Sequence, residues 1–154
     1  MDSLKDITTY MISLYTQVTK QPLTQNRMHN LLYLMQIADL SFYHKRFFDS
    51  TITAEKDGAI VTEAREMYED HKYLYEDPDK KEQPEISEEA KSLVQSVMRG
   101  FAHLDDTELQ WSIQKQDPFL SVYKSRIGGV IPESEMAAYC DDPMLNEEEK
   151  KACI

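Results

Sequence analysis

Leu4, Ile7, Met11, Leu14 and Val18 recur at steps of three and four residues, with Lys5, Asp6, Thr8 and Gln17 between them. That period lays the apolar residues along one stripe of a helix, which Gln21-Pro22 ends. A second helix opens at Thr24, whose hydroxyl is placed to accept a free backbone N–H. Leu23 and Met28 stand at the two positions of a hydrophobic staple. Met28, Leu31, Met35, Ala38 and Phe42 form one seam, which Leu32, Leu34, Ile37 and Leu40 widen to most of the circumference. A helix apolar nearly all round is one that several neighbours bury, so this is the expected central helix.

The helical period lapses over residues 44–61. Thr51, Ile52 and Thr53 favour a strand and Asp57-Gly58 is a turn signal, which predicts a small β-hairpin near residues 46–61. Thr62 is expected to cap a third helix, with Ala64, Met67 and Tyr68 facing inward. The following "EDHKYLYEDPDKKEQPE" is charged and punctuated by Pro78 and Pro84, and reads as a solvated loop within one domain. Ser87 caps the next helix, whose stripe is Leu93, Val94, Val97, Met98 and Phe101. Asp105 and Glu108 have capping-box spacing, flanked by the Leu104–Leu109 staple. Asp117-Pro118 starts another helix with proline expected at its first position, and Gly128-Gly129 stops it. Ile131-Pro132 leads into a last short helix through Met136 and Tyr139. The expected fold is therefore mainly α: a single compact multi-helix domain with a small hairpin, over residues 1–140. A flexible acidic C-terminal tail follows at 141–154.

Length agrees with this, because 154 residues are enough for one core without metals or disulfides. No apolar run approaches the ~20 residues of a membrane-spanning helix, and the first ten residues lack the layout of a secretory signal. The closing "KACI" has lysine where a prenylation box needs cysteine. Cys140 and Cys153 form no CxxC pair, so no disulfide framework and a reducing cytoplasm are expected. The net charge of −11 changes the picture more. Phosphate backbones are bound by Lys and Arg, so direct nucleic-acid binding is disfavoured, while association with basic partners is favoured.

Residues that carry chemistry are sparse. His29, His44, His71 and His103 have no spacing that puts two on one helix face, so no metal site is expected. Nucleophile-elbow, P-loop and dinucleotide motifs are absent, and neither cysteine has surroundings that would lower its pKa. No catalytic residues and no cofactor are expected. The tyrosines carry two readings, half-buried packing or interface contact. Tyr73 and Tyr75, set in a loop otherwise made of charges, suit contact better than the rest.

Three segments together resemble the Panacea domain, the family of the SocA-type antitoxin and of phage-associated GepA-like proteins. In "LTQNRMHNLLYLMQ" the matching positions are Leu31, Leu32, Tyr33 and Gln36. In "FFDSTITAEKDGAIVTEAREMYED" they are Phe48, Asp49, Ile52, Ala54, Gly58, Val61 and Tyr68. The third segment runs from "ISEEAKSLVQSVMRGF" through "TELQWSIQKQDPF", so the resemblance spans about residues 4 to 139. The chain departs from the family pattern with Asn30 for lysine, Glu55 for tryptophan, Asp57 for an aromatic residue and Ala59 for proline. Ile113-Gln114 replace Thr-His, and Phe119 replaces tryptophan. Because burying an unpaired carboxylate is costly, Glu55 and Asp57 are expected to be exposed.

The resemblance implies a non-enzymatic, protein-binding antitoxin. It would neutralise a toxin encoded beside it, or act as a proteolytic adaptor that presents that toxin to a AAA+ protease. The partner surface is then expected around Glu55, Asp57, Arg65 and Tyr68, with Tyr73 and Tyr75. The alternative is an acidic phage-type inhibitor whose carboxylates occupy the basic groove of a nucleic-acid enzyme. A small hydrolase or transferase, and then a helix-turn-helix DNA binder, rank below these.

Overall fold

The computed structural model describes residues 1–70 and 84–140. These fold into a single, mainly helical domain with one two-stranded antiparallel hairpin. Element α1 spans Leu4–Thr19, α2 Gln25–Tyr43, β1 Ile52–Glu55, β2 Gly58–Val61 and α3 Thr62–Asp70. The remaining helices are α4 at Glu88–Gly100, α5 at Asp106–Gln114, α6 at Asp117–Ser125 and α7 at Glu133–Tyr139. Expected residues 141–154 of the tail, and the loop residues Tyr73 and Tyr75, lie outside the described residues.

Helix starts follow the polar residues that precede them. Ser3, Thr24 and Ser87 accept backbone N–H bonds from Asp6, Arg27 and Ala90. At α5 the Asp105 carboxylate accepts from Glu108 N at 2.8 Å, and the Glu108 carboxylate accepts from Asp105 N at 3.1 Å, closing a capping box. Two starts differ from expectation. The Thr62 hydroxyl bridges to the Thr51 hydroxyl at 2.9 Å, and it is Ser50 Oγ that accepts the Glu63 N–H. Pro118 occupies the second position of α6, after Asp117, where its missing N–H is equally harmless.

Helix α2 is the central strut, buried without interruption from Arg27 to Ser41 and packed against α4, α5, α7 and β2. The Leu23–Met28 staple is buried on both sides. The outer ends of the two long apolar stripes leave the core, however. Val18 in the last turn of α1 is 74% exposed and Phe42 in the last turn of α2 is 54% exposed.

The polar residues of α2 are as informative as its apolar ones. Gln36 is buried and receives Phe47 N–H at 2.8 Å and Phe48 N–H at 3.3 Å on Oε1, while its Nε2 donates to Phe48 O at 3.1 Å. Asn30 Oδ1 accepts from Ala59 N, and His29 Nδ1 accepts from Val61 N. Buried backbone groups need partners, and here a helix side face supplies them to the free edge of β2.

The opposite edge of the hairpin is occupied too. Residues 128–131 run antiparallel along β1, with Gly128 N donating to Ala54 O, Ala54 N to Gly129 O and Ile131 N to Ile52 O. The Gly-Gly pair, expected only as a helix stop, thus belongs to a three-stranded ribbon whose third member is too short and too glycine-rich to read as a strand. The inner face of the ribbon presents Ile52, Ala54, Ala59, Val61 and Ile131 to the core. The hairpin turn is at Lys56-Asp57, and Gly58 takes the positive φ of 113° just after it. A Cβ added at Gly58 would lie 2.7 Å from Asn30 Oδ1. Gly58→Ala is therefore expected to destabilise the domain by about 2 kcal/mol in urea unfolding, from backbone strain and a displaced Asn30 together.

Candidate functional site

Strand alternation places Thr53, Glu55 and Ile60 on the outer face of the ribbon. Thr53 lies across from Ile60 on one side and Val130 on the other, so Ile60, Thr53 and Val130 form a row. Val130 is 54% exposed and neighbouring Ile127 is 63% exposed. Glu55 closes one end of this face, its carboxylate against Gly128, and the exposed Asp57 occupies the turn beyond it.

The tip is held by its main chain. Asn26 Nδ2 donates to Asp57 O at 2.9 Å, and Gln114 Nε2 donates to Lys56 O at 3.0 Å. Asn26 also bonds Gln110 Oε1, which joins the first turn of α2 to α5 beneath the turn. Neither the Glu55 nor the Asp57 carboxylate has an ion pair or hydrogen bond with another described residue. Two free carboxylates beside exposed aliphatic side chains suit contact with a basic, partly apolar surface.

Arg65 and Tyr68 are on α3, which leaves the other end of β2 and packs on α1. Arg65 is exposed and Tyr68 is partly buried against the core. The length of β2, about 13 Å at the rise of a strand, separates them from the tip, so the four residues form two neighbouring stations rather than one cluster. Tyr73 and Tyr75 lie outside the described residues. The Arg65 charge reaches inward as well: burial first, and Arg65 second, lower the His29 pKa to about 4. His29 is thus neutral, with Nδ1 accepting from Val61 and its proton on Nε2.

A second feature had no counterpart in the apolar pattern. An open trough of about 810 Å³ runs between α1, α4 and the start of α5, with Leu14, Tyr15, Val18, Leu31 and Met98 among its walls. Arg27 forms part of its floor. Its Nη1 donates to Leu104 O at 2.8 Å and to Asp106 Oδ1 at 3.2 Å, and its Nη2 donates to Phe101 O at 2.9 Å. The guanidinium also lies 5.8 Å from the Tyr15 ring centroid. Arg27 therefore ties the corner between α4 and α5 to the start of α2. The sequence signal was there: Arg27 is the one Lys or Arg in α2.

Among the described residues, no group of three or more His, Cys, Asp or Glu side chains could hold a metal ion. No described helix is long and apolar enough to cross a membrane. Cys140, just after α7, is disulfide-bonded, which corrects the expectation of thiols without a disulfide. Absence of a CxxC pair excludes a local motif but not a single bridge, and the second cysteine, Cys153, lies outside the described residues. No family, curated protein or solved structure matches the chain.

Proposed function

We propose that this chain is a non-enzymatic, antitoxin-like binding protein of the Panacea type, and that it neutralises a basic partner toxin. The observation that carries the reading is the outer face of the hairpin ribbon. There, Glu55 and Asp57 have no ion pair or hydrogen bond with another described residue and stand by exposed Val130 and Ile127, on a tip whose main chain is fixed from below. A rigid mount with free carboxylates and aliphatic contacts costs little ordering entropy on binding, which is what a high-affinity protein surface needs. The net charge of −11 adds steering toward a basic partner. Arg65 and Tyr68 extend the surface along α3. Delivery of the bound toxin to a AAA+ protease is the adaptor form of the same reading.

The test is to co-purify tagged protein from its native host with neighbouring reading frames in place, alongside the double variant Glu55→Lys/Asp57→Lys. Wild type is expected to retain one small neighbour-encoded protein that is toxic when expressed alone. The double variant should lose most of it, at least tenfold in affinity, with unchanged thermal unfolding. Equal retention by the double variant removes the ribbon tip from the interface. Recovery of a nuclease or polymerase that moderate salt releases would support the inhibitor of basic grooves instead, since the acidic charge serves that role equally.

A further inference from the structure

We infer that the recess between the last turns of α2 and the first half of α4 binds a primary ammonium group on a short apolar stem, with Asp39 as its counter-ion. The site lies about 20 Å along α2 from Asn26, which holds the ribbon tip, so it does not depend on what the ribbon binds.

Asp39 carries the argument. The residue is 7% exposed, and its carboxylate has no ion pair or hydrogen bond with a described residue. The little surface it keeps opens into the recess, within reach of an occupant. A carboxylate taken this far out of water without a partner is costly, and a cation that meets it removes much of the cost. Asp39 also stands four residues from the end of α2. The helix dipole favours positive charge there, yet the last turn holds no Lys or Arg.

The other charges around the recess are already matched. Asp2 is taken up by Ser87, accepting from its N–H at 3.1 Å and from its hydroxyl at 2.9 Å. Arg46 is paired with Glu133 and Asp49, and Lys45 meets Glu89 at 3.6 Å. Burial is the largest influence on Asp39 and pushes its pKa up, while Lys45 opposes and Glu89 adds. Because Lys45 and Glu89 are paired with each other, their effects on Asp39 offset. The recess is therefore short of one positive charge.

Apolar and aromatic groups surround the carboxylate. Phe42, three residues on from Asp39 and so on the same side of α2, is exposed. Ala38, Phe47, Ala90 and Leu93 line the rest of a recess of about 1210 Å³. At its mouth the exposed Tyr43 ring already lies 5.8 Å from the Lys45 ammonium, so contact between a cation and a ring occurs at this place. A metal ion would need several oxygen ligands, and no described group of three acidic, His or Cys side chains supplies them. An ammonium needs the one carboxylate, and its stem covers the apolar wall. Such a group comes from a free amine or from a lysine of a partner protein.

The probe is phenethylammonium chloride, titrated into the full chain at pH 7 and followed by calorimetry. Phenylpropionate is the control of similar shape and opposite charge. Saturable binding is expected for the cation and none for the anion. Asp39→Asn keeps the shape of the side chain and should weaken binding about tenfold. Phe42→Ala, at an exposed site, should weaken it about threefold. Lys45→Gln removes a competing cation and should tighten it, while the Glu55→Lys/Asp57→Lys variant leaves it unchanged. Melting curves that match wild type separate loss of binding from loss of fold, and Phe42→Ala decides the matter if Asp39→Asn does not fold. Nα-acetyl-lysine methylamide distinguishes the sources. Binding at least as tight as that of phenethylammonium assigns the site to a partner's lysine, and weaker binding assigns it to a free amine. No saturation by either ammonium compound up to about 10 mM overturns the proposal. So does equal binding of phenylpropionate, or binding by the Asp39 and Phe42 variants like that of wild type.

Discussion

Gln36→Leu is expected to cost this domain about 3–5 kcal/mol. The substitution keeps the volume and helix propensity of the side chain but removes both of its hydrogen-bonding atoms. Phe47 N–H, Phe48 N–H and Phe48 C=O then lose their partners in a buried setting. Each unmet backbone group costs about 1–3 kcal/mol, and relaxation of the segment recovers part of the sum. Phe48 is fully buried, so the segment cannot turn outward to water without withdrawing an aromatic ring from the core. Leu32→Met on the same helix is the control, a volume-conserving change expected to cost under about 1.5 kcal/mol. Denaturant unfolding of both variants decides the matter. A loss of less than about 1 kcal/mol in Gln36→Leu would mean that the 47–48 amides find water, and that Gln36 does not fix this segment.

The second expectation is a loss of stability on acidification, centred on His29. In the folded chain its pKa is about 4, against 6.5 when exposed, because burial and the Arg65 charge disfavour the imidazolium. Between those values the unfolded chain binds the proton more readily than the folded one, so stability rises with pH. The contribution is fully present above about pH 6.5 and disappears as pH falls through about 4. At about 1.4 kcal/mol per pH unit the whole window is worth ~3 kcal/mol. Protonation also turns Nδ1 from acceptor to donor and sets it against the Val61 N–H, so the end of β2 and the start of α3 should loosen first. Asp39 works in the opposite direction. Burial raises its pKa, with Lys45 opposing and Glu89 adding, and acidification therefore favours its folded form. The difference between wild type and His29→Gln isolates the histidine, since glutamine offers an acceptor but no titration. Parallel stability curves for the two proteins between pH 7 and 4 would exclude His29 as the acid-sensitive group.

Both predictions concern polar residues on a helix that the apolar pattern alone describes as central. The pattern is correct about what α2 is, because burial on all sides follows from apolar residues on all sides. Caps were equally legible: Thr24, Ser87 and Asp105 act within three residues of themselves, so their chemistry is local. The backbone groups that Gln36, Asn30 and His29 bind are 11 to 32 residues away in the chain, and the hydrogen-bond partners of the Arg27 side chain are 74 to 79 residues away. No window of sequence contains both halves of such a bond. The third member of the ribbon escaped for a related reason, since backbone bonds of Gly128, Gly129 and Ile131 do not depend on side-chain pattern. At the ribbon tip, the cost of burying a lone carboxylate placed both residues at the surface; Asp57 is exposed, whereas Glu55 is partly covered where its carboxylate lies against Gly128. The trough needed the structure, because Val18 belongs to the stripe by period and is nonetheless 74% exposed.

The way the hairpin tip is held bears on how this surface can change over generations. Asn26 and Gln114 grip carbonyl oxygens of Asp57 and Lys56, and every residue type presents the same carbonyl. Among the described residues, the side chains at 55–57 make no hydrogen bond or ion pair that would hold the turn in place. Mutations there alter what is displayed without moving the display. A lineage could change the charge and shape presented at this tip through two or three codons while the rest of the domain remains under unchanged selection.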